Sequence, residues 1–224
     1  MKLILFDIDG TLLSAGGAGT KSLDLAFRDL FSIDKAFKGI GMAGKTDVQI
    51  IKEGLAAHHL EAKNGTIPEV IDAYLRHLRS EMDNDRKHVK PGIRRALERL
   101  KQAHGYPLGL LTGNLEEGAR IKLGMFDLNQ YFPSGAFGSD DEDRNRLLPI
   151  AVKRFKDMSG LEISFRDCII VGDTPRDVFC AKPYGAFCLG VATGPYPANE
   201  LVKAGADIVF ENLTDTDAFM SAIG

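Results

Sequence analysis

Tryptophan is absent from the 224 residues, and cysteine occurs three times, as Cys168, Cys180 and Cys188. No two of these form a Cys-x-x-Cys pair, which argues against a zinc knuckle or a dithiol redox motif and predicts reduced core thiols, as in a cytoplasmic protein. The five histidines, His58, His59, His77, His88 and His104, sit in helical or polar stretches without ligand spacing and offer no transition-metal site. Long apolar runs are missing too, so no segment reads as a membrane span. The opening apolar stretch is broken by Asp7 and Asp9, which does not suit a signal peptide. Neither sign of charge dominates: 28 basic residues face 31 acidic ones, and the net charge of −3 disfavours non-specific attachment to nucleic acid or to an anionic membrane. Internal repeats and low-complexity tracts are also lacking. What remains is the composition of an ordinary globular chain, 44% hydrophobic and 26% charged, long enough for one domain or for one domain carrying a smaller insertion.

Short apolar runs bounded by turn residues recur at residues 3–6, 107–111, 168–171, 186–191 and 207–210, with helical stripes between most of them. Alternation of that kind predicts an α/β fold with a mostly parallel sheet covered by helices. The stripes are Ile93, Ala96, Leu97 and Leu100, and then Leu147, Ile150, Ala151 and Phe155, with Arg154 at the edge of the second. Between the first run and the Pro91-Gly92 pair no convincing strand is visible. Three amphipathic helices fill that stretch instead, marked by Leu23, Ala26, Phe27, Leu30 and Phe31, by Val48, Ile51 and Leu55, and by Val70, Ile71, Tyr74, Leu75 and Leu78. The expected division is an α/β core of residues 1–18 and 86–224 with a small helical domain, residues 19–85, inserted into it. The Gly-rich residues 14–20 suit a hinge.

In open α/β sheets, ligands gather beyond the carboxyl ends of the strands, and the residues after each run carry chemistry. After the first run stands Asp7-Ile8-Asp9-Gly10-Thr11. Alternation along an extended chain projects Asp7 and Asp9 to one side, and Gly10 lets the backbone turn close to whatever lies there. Two such carboxylates call for a cation. They suit a Mg²⁺-assisted site in which one aspartate attacks phosphorus and the other serves as general acid and base; the alternative is an ordinary strand end with two solvated acids. After the second run, Thr112, Gly113 and Asn114 lead into a helix and can donate hydrogen bonds to phosphate oxygens, although the same tripeptide also suits a plain capped turn. After the third, Asp173 and Asp177 bracket Thr174-Pro175-Arg176. Asp173 would reach the same cleft as a hard oxygen ligand and Asp177 could hold the ion or its waters, while Asp173 or Thr174 could equally cap the helix that Pro175 opens.

In their order, strand settings and the helical insertion after the first of them, these motifs resemble the haloacid dehalogenase-like hydrolase superfamily in its phosphatase branch. The resemblance implies a Rossmann-like core with a helical cap closing over a Mg²⁺-dependent phosphatase site. It makes Asp7 the nucleophile and Asp9 the acid/base, with Asp9 also lending a backbone oxygen to the metal. Gly10, Thr11, Thr112, Gly113 and Asn114 would surround the phosphoryl group, and Asp173, supported by Asp177, would complete a metal site made with Asp7 and Asp9. Family members usually place a lysine ahead of the helix that precedes the last acidic motif. Residues 139–148 hold no lysine; Arg144 is the expected substitute, with Arg146 second, and Arg keeps the charge while exchanging a mobile point for a planar fork.

Residues 39–46 also satisfy the phosphate-loop pattern G-x-x-x-x-G-K-[ST], which would make the chain a nucleotide hydrolase or kinase. A phosphate loop follows directly on a buried strand, however, and residues 31–38 are polar and close a helical stretch. Within the resemblance the same segment becomes a cap loop, from which Lys45 could read the substrate, or the start of a helix at Thr46. Dehalogenases and phosphonoacetaldehyde hydrolases of the superfamily generally lack an acid at the position of Asp9, so phosphate esters are favoured. Sugar-phosphate mutases share the acids but commonly carry a hinge histidine that residues 14–20 do not provide. The expected activity is hydrolysis of a small phosphorylated metabolite through an aspartyl-phosphate, phosphoglycolate phosphatase being the nearest analogy, by a monomer or homodimer. A non-catalytic phosphate-binding protein is the remaining alternative.

Overall fold

The computed structural model describes residues 1–63, 65–103 and 105–224; His104 lies outside them. Six strands form one parallel sheet in the order β5-β4-β1-β6-β7-β8: β1 (Leu3–Phe6), β4 (Leu108–Leu111), β5 (Gly135–Ala136), β6 (Cys168–Gly172), β7 (Phe187–Val191) and β8 (Ile208–Phe210). The strands are apolar on both faces because helices cover both. Ile4, Phe6, Leu110, Ile169 and Val171 join one buried cluster, and their neighbours Leu3, Leu5, Leu111, Cys168 and Ile170 join the other, the two-residue alternation expected of an extended chain. The thiols of Cys168, Cys180 and Cys188 are free and buried in the core. No helix among the described residues is long and apolar enough to cross a membrane.

Helices α1 (Ala18–Phe31), α2 (Asp47–Ala57) and α3 (Thr66–Glu81) follow β1, where the apolar stripes place them. Thr46 caps α2 by accepting from the Gln49 N–H at 3.2 Å. The remaining helices are α4 (Ile93–Gln102), α5 (Glu116–Gly124), α6 (Leu147–Ser159), α7 (Pro175–Ala181), α8 (Ala198–Ala204) and α9 (Thr216–Ile223).

One expectation is corrected. The stretch between β1 and Pro91 does contain strand structure: β2 (Leu13–Ser14) pairs antiparallel with β3 (His88–Val89). Two residues are too few to generate a periodic signal, and this pairing joins segments that the three helices separate in sequence. The legs are fastened further by Asn84 Nδ2, which donates to the Ala15 carbonyl at 3.1 Å. Gly16 stands at φ +66°, where a Cβ would lie 2.1 Å from Asn84 Oδ1, so the glycines of residues 14–20 serve close packing of the two legs as well as a turn.

The chain order decides where a crevice opens. From β1 the path moves to β4 and β5 on one side, then to β6, β7 and β8 on the other. Connections leaving in opposite directions part above the carboxyl ends of β4, β1 and β6, which is where such sheets hold ligands.

Candidate active site

A cavity of about 480 Å³ stands at that point, and Asp7, Asp9, Thr112, Arg144, Asp173 and Lys45 are all in its wall. Asp7 directly follows β1 and is buried, its amide donating to the Val171 carbonyl of β6 at 2.9 Å. The chain then coils back: the Thr11, Leu12 and Leu13 amides all donate to the Ile8 carbonyl, and Gly10 turns at φ +88°. Both aspartates therefore face one cavity, but they meet different cations. Asp7 Oδ1 lies 3.1 Å from Arg144 Nη2, whereas Asp9 Oδ2 lies 2.5 Å from Lys122 Nζ.

Asp173, beyond β6, accepts from the Thr11 hydroxyl at 2.7 Å through Oδ1, while its Oδ2 is buried without a partner among the described residues. Two glycines crowd that oxygen: a Cβ on Gly10 would come within 2.2 Å of it and one on Gly194 within 1.6 Å. Oxygens of Asp7, Asp173 and Asp177 all lie within 4.8 Å of one another. An orphaned buried carboxylate oxygen in an all-oxygen cluster fits a hard divalent cation. The Asp9 side chain is outside that cluster and points at Lys122 and Asn114. Asp177 already has partners on both oxygens, since the Thr174 amide and hydroxyl donate to Oδ2 at 3.0 and 2.8 Å and Arg144 donates to Oδ1. It is both a helix cap and the third carboxylate of the cluster.

Arg144 opens the turn before α6, with its side chain running inward. Besides meeting Asp7 and Asp177 it donates to the Gly44 carbonyl at 3.2 Å. Arg146 points outward, 71% exposed, and pairs with Asp141 and Asp143. Of the two candidates, Arg144 alone reaches the carboxylates. Burial dominates the electrostatics here and pushes Asp7 up to about 6, against the pull of Arg144 and of the Thr112 hydroxyl. Asp173 is pushed up by burial and by Asp7 and Asp177. Such a cluster disfavours its own full ionisation until a cation arrives.

The phosphate-loop pattern resolves into a contact between helical segment and core. Residues 39–46 follow turns after α1 rather than a strand, which removes the setting a phosphate loop requires. They lie against the loop after β4: Asp47 N–H donates to the Gly113 carbonyl at 2.8 Å, Leu115 N–H donates to Asp47 Oδ2 at 2.9 Å, and the Thr46 hydroxyl donates to the Glu142 carbonyl at 2.9 Å. Only glycines permit this approach, because a Cβ on Gly113 would lie 2.1 Å from the Lys45 carbonyl and one on Gly138 would lie 2.1 Å from the Gly113 carbonyl. Lys45 reaches the cavity wall with its ammonium 2.5 Å from Glu53. Thr11 and Asn114, read from the sequence as phosphate donors, are engaged with side chains: Thr11 with Asp173, and Asn114 with Asp9 and with the Thr112 hydroxyl, both at 2.9 Å.

The motifs did not single out Lys122, Asp47, Tyr74 or Gly194, all of which line the same cavity. Lys122 has a faint signal, a lysine in the buried stripe of α5 beside Ala119 and Leu123. Asp47 looks like any first-turn acid and Tyr74 like any core aromatic. Gly194 lies in a loop without a motif.

A family model described as haloacid dehalogenase-like hydrolase matches residues 1–185. Among curated proteins, the phosphoglycolate phosphatase of Aliivibrio fischeri is 26% identical over 221 residues, covering 93% of this chain and 92% of that one. Phosphoglycolate phosphatase 1 of Pseudomonas aeruginosa is 26% identical, covering 96% of this chain and 78% of its own length. Among solved structures, CbbY of Rhodobacter sphaeroides in complex with phosphate superposes with a TM-score of 0.75 at 17% identity, over 96% of each chain.

Proposed function

The chain belongs to the haloacid dehalogenase-like hydrolases and is a phosphoric monoester hydrolase; from that premise we propose that it cleaves a small phosphate monoester by transient transfer of the phosphoryl group to Asp7, in a Mg²⁺-dependent reaction. The observation that carries this reading is the setting of Asp7, a buried carboxylate in the cavity wall with Arg144 at 3.1 Å and the unpartnered Asp173 oxygen in the same cluster. Asp7, Asp173 and the Asp9 backbone carbonyl would hold the Mg²⁺, with Asp177 steadying the site from behind. When bound, the ion supplies positive charge that lets the carboxylates ionise and draws charge from the phosphoryl oxygens.

The residues of the chain divide the rest. Arg144 holds the Asp7 carboxylate in place and offsets charge on the phosphoryl group. Thr112 and the Gly113 amide bind phosphoryl oxygens. Asp7 attacks phosphorus in line as the ester oxygen departs, and Asp9 donates a proton to that oxygen; Asp9 then takes a proton from the water that frees Asp7. Residues 19–85 act as the cap, and the loop carrying Lys45 helps to close the site against bulk water. The leaving group is small, as in the phosphoglycolate phosphatases among the relatives, and phosphoglycolate is the first ester to try. Mutase chemistry is disfavoured because residues 14–20 carry no histidine.

The test is release of inorganic phosphate from p-nitrophenyl phosphate and phosphoglycolate with Mg²⁺ or with EDTA. Turnover in Mg²⁺ alone is expected, with Asp7→Asn folded but at least about a thousandfold slower. Metal-independent turnover, or an Asp7→Asn protein near the wild-type rate, would overturn the assignment.

A further inference from the structure

We propose that Lys122 is a positioning residue for Asp9, aiming one carboxylate oxygen at the departing ester oxygen and holding that aim through the helical cap. The inference rests on the phosphatase reading and concerns a side chain which that reading leaves without a role.

A lysine only 4% exposed demands an explanation. Removing an ammonium from water is expensive, and apolar replacements of such groups often leave a protein equally or more stable. The partners of Lys122 supply the reason. Its Nζ donates to Asp9 Oδ2 and to Asn114 Oδ1, both at 2.5 Å. The Asn114 side chain closes the triangle, because its Nδ2 donates to the same Asp9 Oδ2 at 2.9 Å. Two donors therefore fix Oδ2 from the protein side. Among the described residues no hydrogen bond is made to Oδ1, and the Asp9 side chain is 43% exposed in the cavity wall. That is the division of labour a general acid needs, with one oxygen anchored and the other free toward the substrate.

The anchor also lies beside all three cap helices. From α2, Asp47 is held on the core by the Gly113 carbonyl and the Leu115 amide, and its charge acts on Lys122. From α3 comes the Tyr74 hydroxyl, and α1 contributes Gly19, where a Cβ would lie 3.9 Å from Lys122 Nζ and 4.0 Å from that hydroxyl. With the loop of residues 42–47 lifted away, the ammonium would keep Asp9 and Asn114 but lose the carboxylate opposite. Asp9 is thus held most firmly when the cap is seated over a substrate. Lys122 stays protonated throughout: the transferred proton travels from Asp9 to the ester oxygen as the P–O bond breaks and the bond from Asp7 to phosphorus forms.

A misplaced general acid matters in proportion to how badly the leaving group needs its proton. The experiment compares kcat/KM, which reports steps up to leaving-group departure, for p-nitrophenyl phosphate and for an alkyl phosphomonoester in wild type, Lys122→Met and Asp47→Asn. Lys122→Met is expected to lose roughly a hundredfold on the alkyl ester but less than about fivefold on p-nitrophenyl phosphate, with Lys122→Arg restoring part of the alkyl activity. Asp47→Asn keeps an acceptor for the Leu115 amide and is expected to steepen the same dependence by a smaller factor, so the inference remains testable if Lys122→Met does not fold. Equal losses on both esters, or no loss on the alkyl ester, would overturn the inference while leaving the phosphatase reading intact. Absence of wild-type turnover on either ester would sink that reading and this inference together.

Discussion

Replacing Arg144 by Met leaves two buried carboxylates facing each other without their cation. Arg144, Asp7 and Asp177 are all nearly excluded from solvent, and the guanidinium touches both acids. Breaking a buried ion pair of this kind costs about 3–5 kcal/mol, against about 0–1 for an exposed one. The Arg144→Met protein in EDTA at pH 7.5 is therefore expected to lose about 3–5 kcal/mol in urea denaturation, roughly two to four powers of ten in its unfolding equilibrium. The pH dependence supplies an internal check. Burial already raises Asp7 from 3.8 to about 6 with Arg144 in place, and loss of the guanidinium raises it further. The native variant then holds a proton that the unfolded chain releases, so its stability falls as pH rises through that window. The deficit should be largest near neutrality and shrink toward pH 4. Arg144→Lys keeps a charge but cannot fork between two acids; it is expected to recover part of the stability and measurable phosphatase activity, while Arg144→Met loses activity by about a hundredfold or more. A deficit below about 1 kcal/mol at pH 7.5, or one that grows on acidification, would refute the assignment of Arg144 as the cation of the carboxylate cluster.

Arg146→Ala should leave stability and phosphate release within about twofold of wild type, since Arg146 is itself exposed and its contacts to Asp141 and Asp143 are long; a large loss in the rate assay would mean that the wrong arginine was chosen. Burial pushes Asp47 up to about 6 from 3.8, against Lys122 and the Leu115 amide. Its native form binds the proton more tightly, so its contribution to stability falls between about pH 4 and 6, and Asp47→Asn should gain on wild type by up to about 3 kcal/mol as pH rises from 4 to 7.5 in paired urea titrations. A pH-independent difference would show that Asp47 is not strained by burial. Gly194→Ala places a methyl against the orphaned Asp173 oxygen; Mg²⁺ should raise the wild-type melting temperature by several degrees and leave that of the variant nearly unchanged. Equal shifts in the two proteins would remove Asp173 Oδ2 from the metal site.

Much of this architecture is legible in the chain because it is written in local patterns. Apolar runs of four or five residues ending in Asp7, Thr112 and Asp173 announce a parallel sheet and the edge where its chemistry sits, since burial on both faces leaves no alternation to confuse the reading. Pro175 was legible as a helix start and Thr46 as one of the two readings open for its segment, and both stand at the start of a helix. What escaped depends on proximity that the sequence does not encode. Lys122 is one lysine among many until folding brings it to Asp9, 113 positions away. Gly194 has meaning only beside Asp173, and β2 and β3 exist only because each finds the other. Asn114 was read as a phosphate donor from residue type and Thr11 was placed at the phosphoryl group by the resemblance, and their commitments to Asp9 and Asp173 follow from packing that no motif specifies.

The ribbon made by Leu13–Ser14 and His88–Val89 sets the mechanics of the helical segment. Both chain crossings between that segment and the sheet run side by side, laced by main-chain hydrogen bonds and by Asn84. A pair of pivots so close together defines a hinge line. Swinging α1, α2 and α3 about it breaks no bond in the ribbon, while sliding or twisting them off that line would unlace it. Any motion of these helices against the sheet is therefore expected about one axis, like a door, with the loop that carries Lys45 and leads into α2 at Asp47 as its free edge, meeting the doorframe at Gly113.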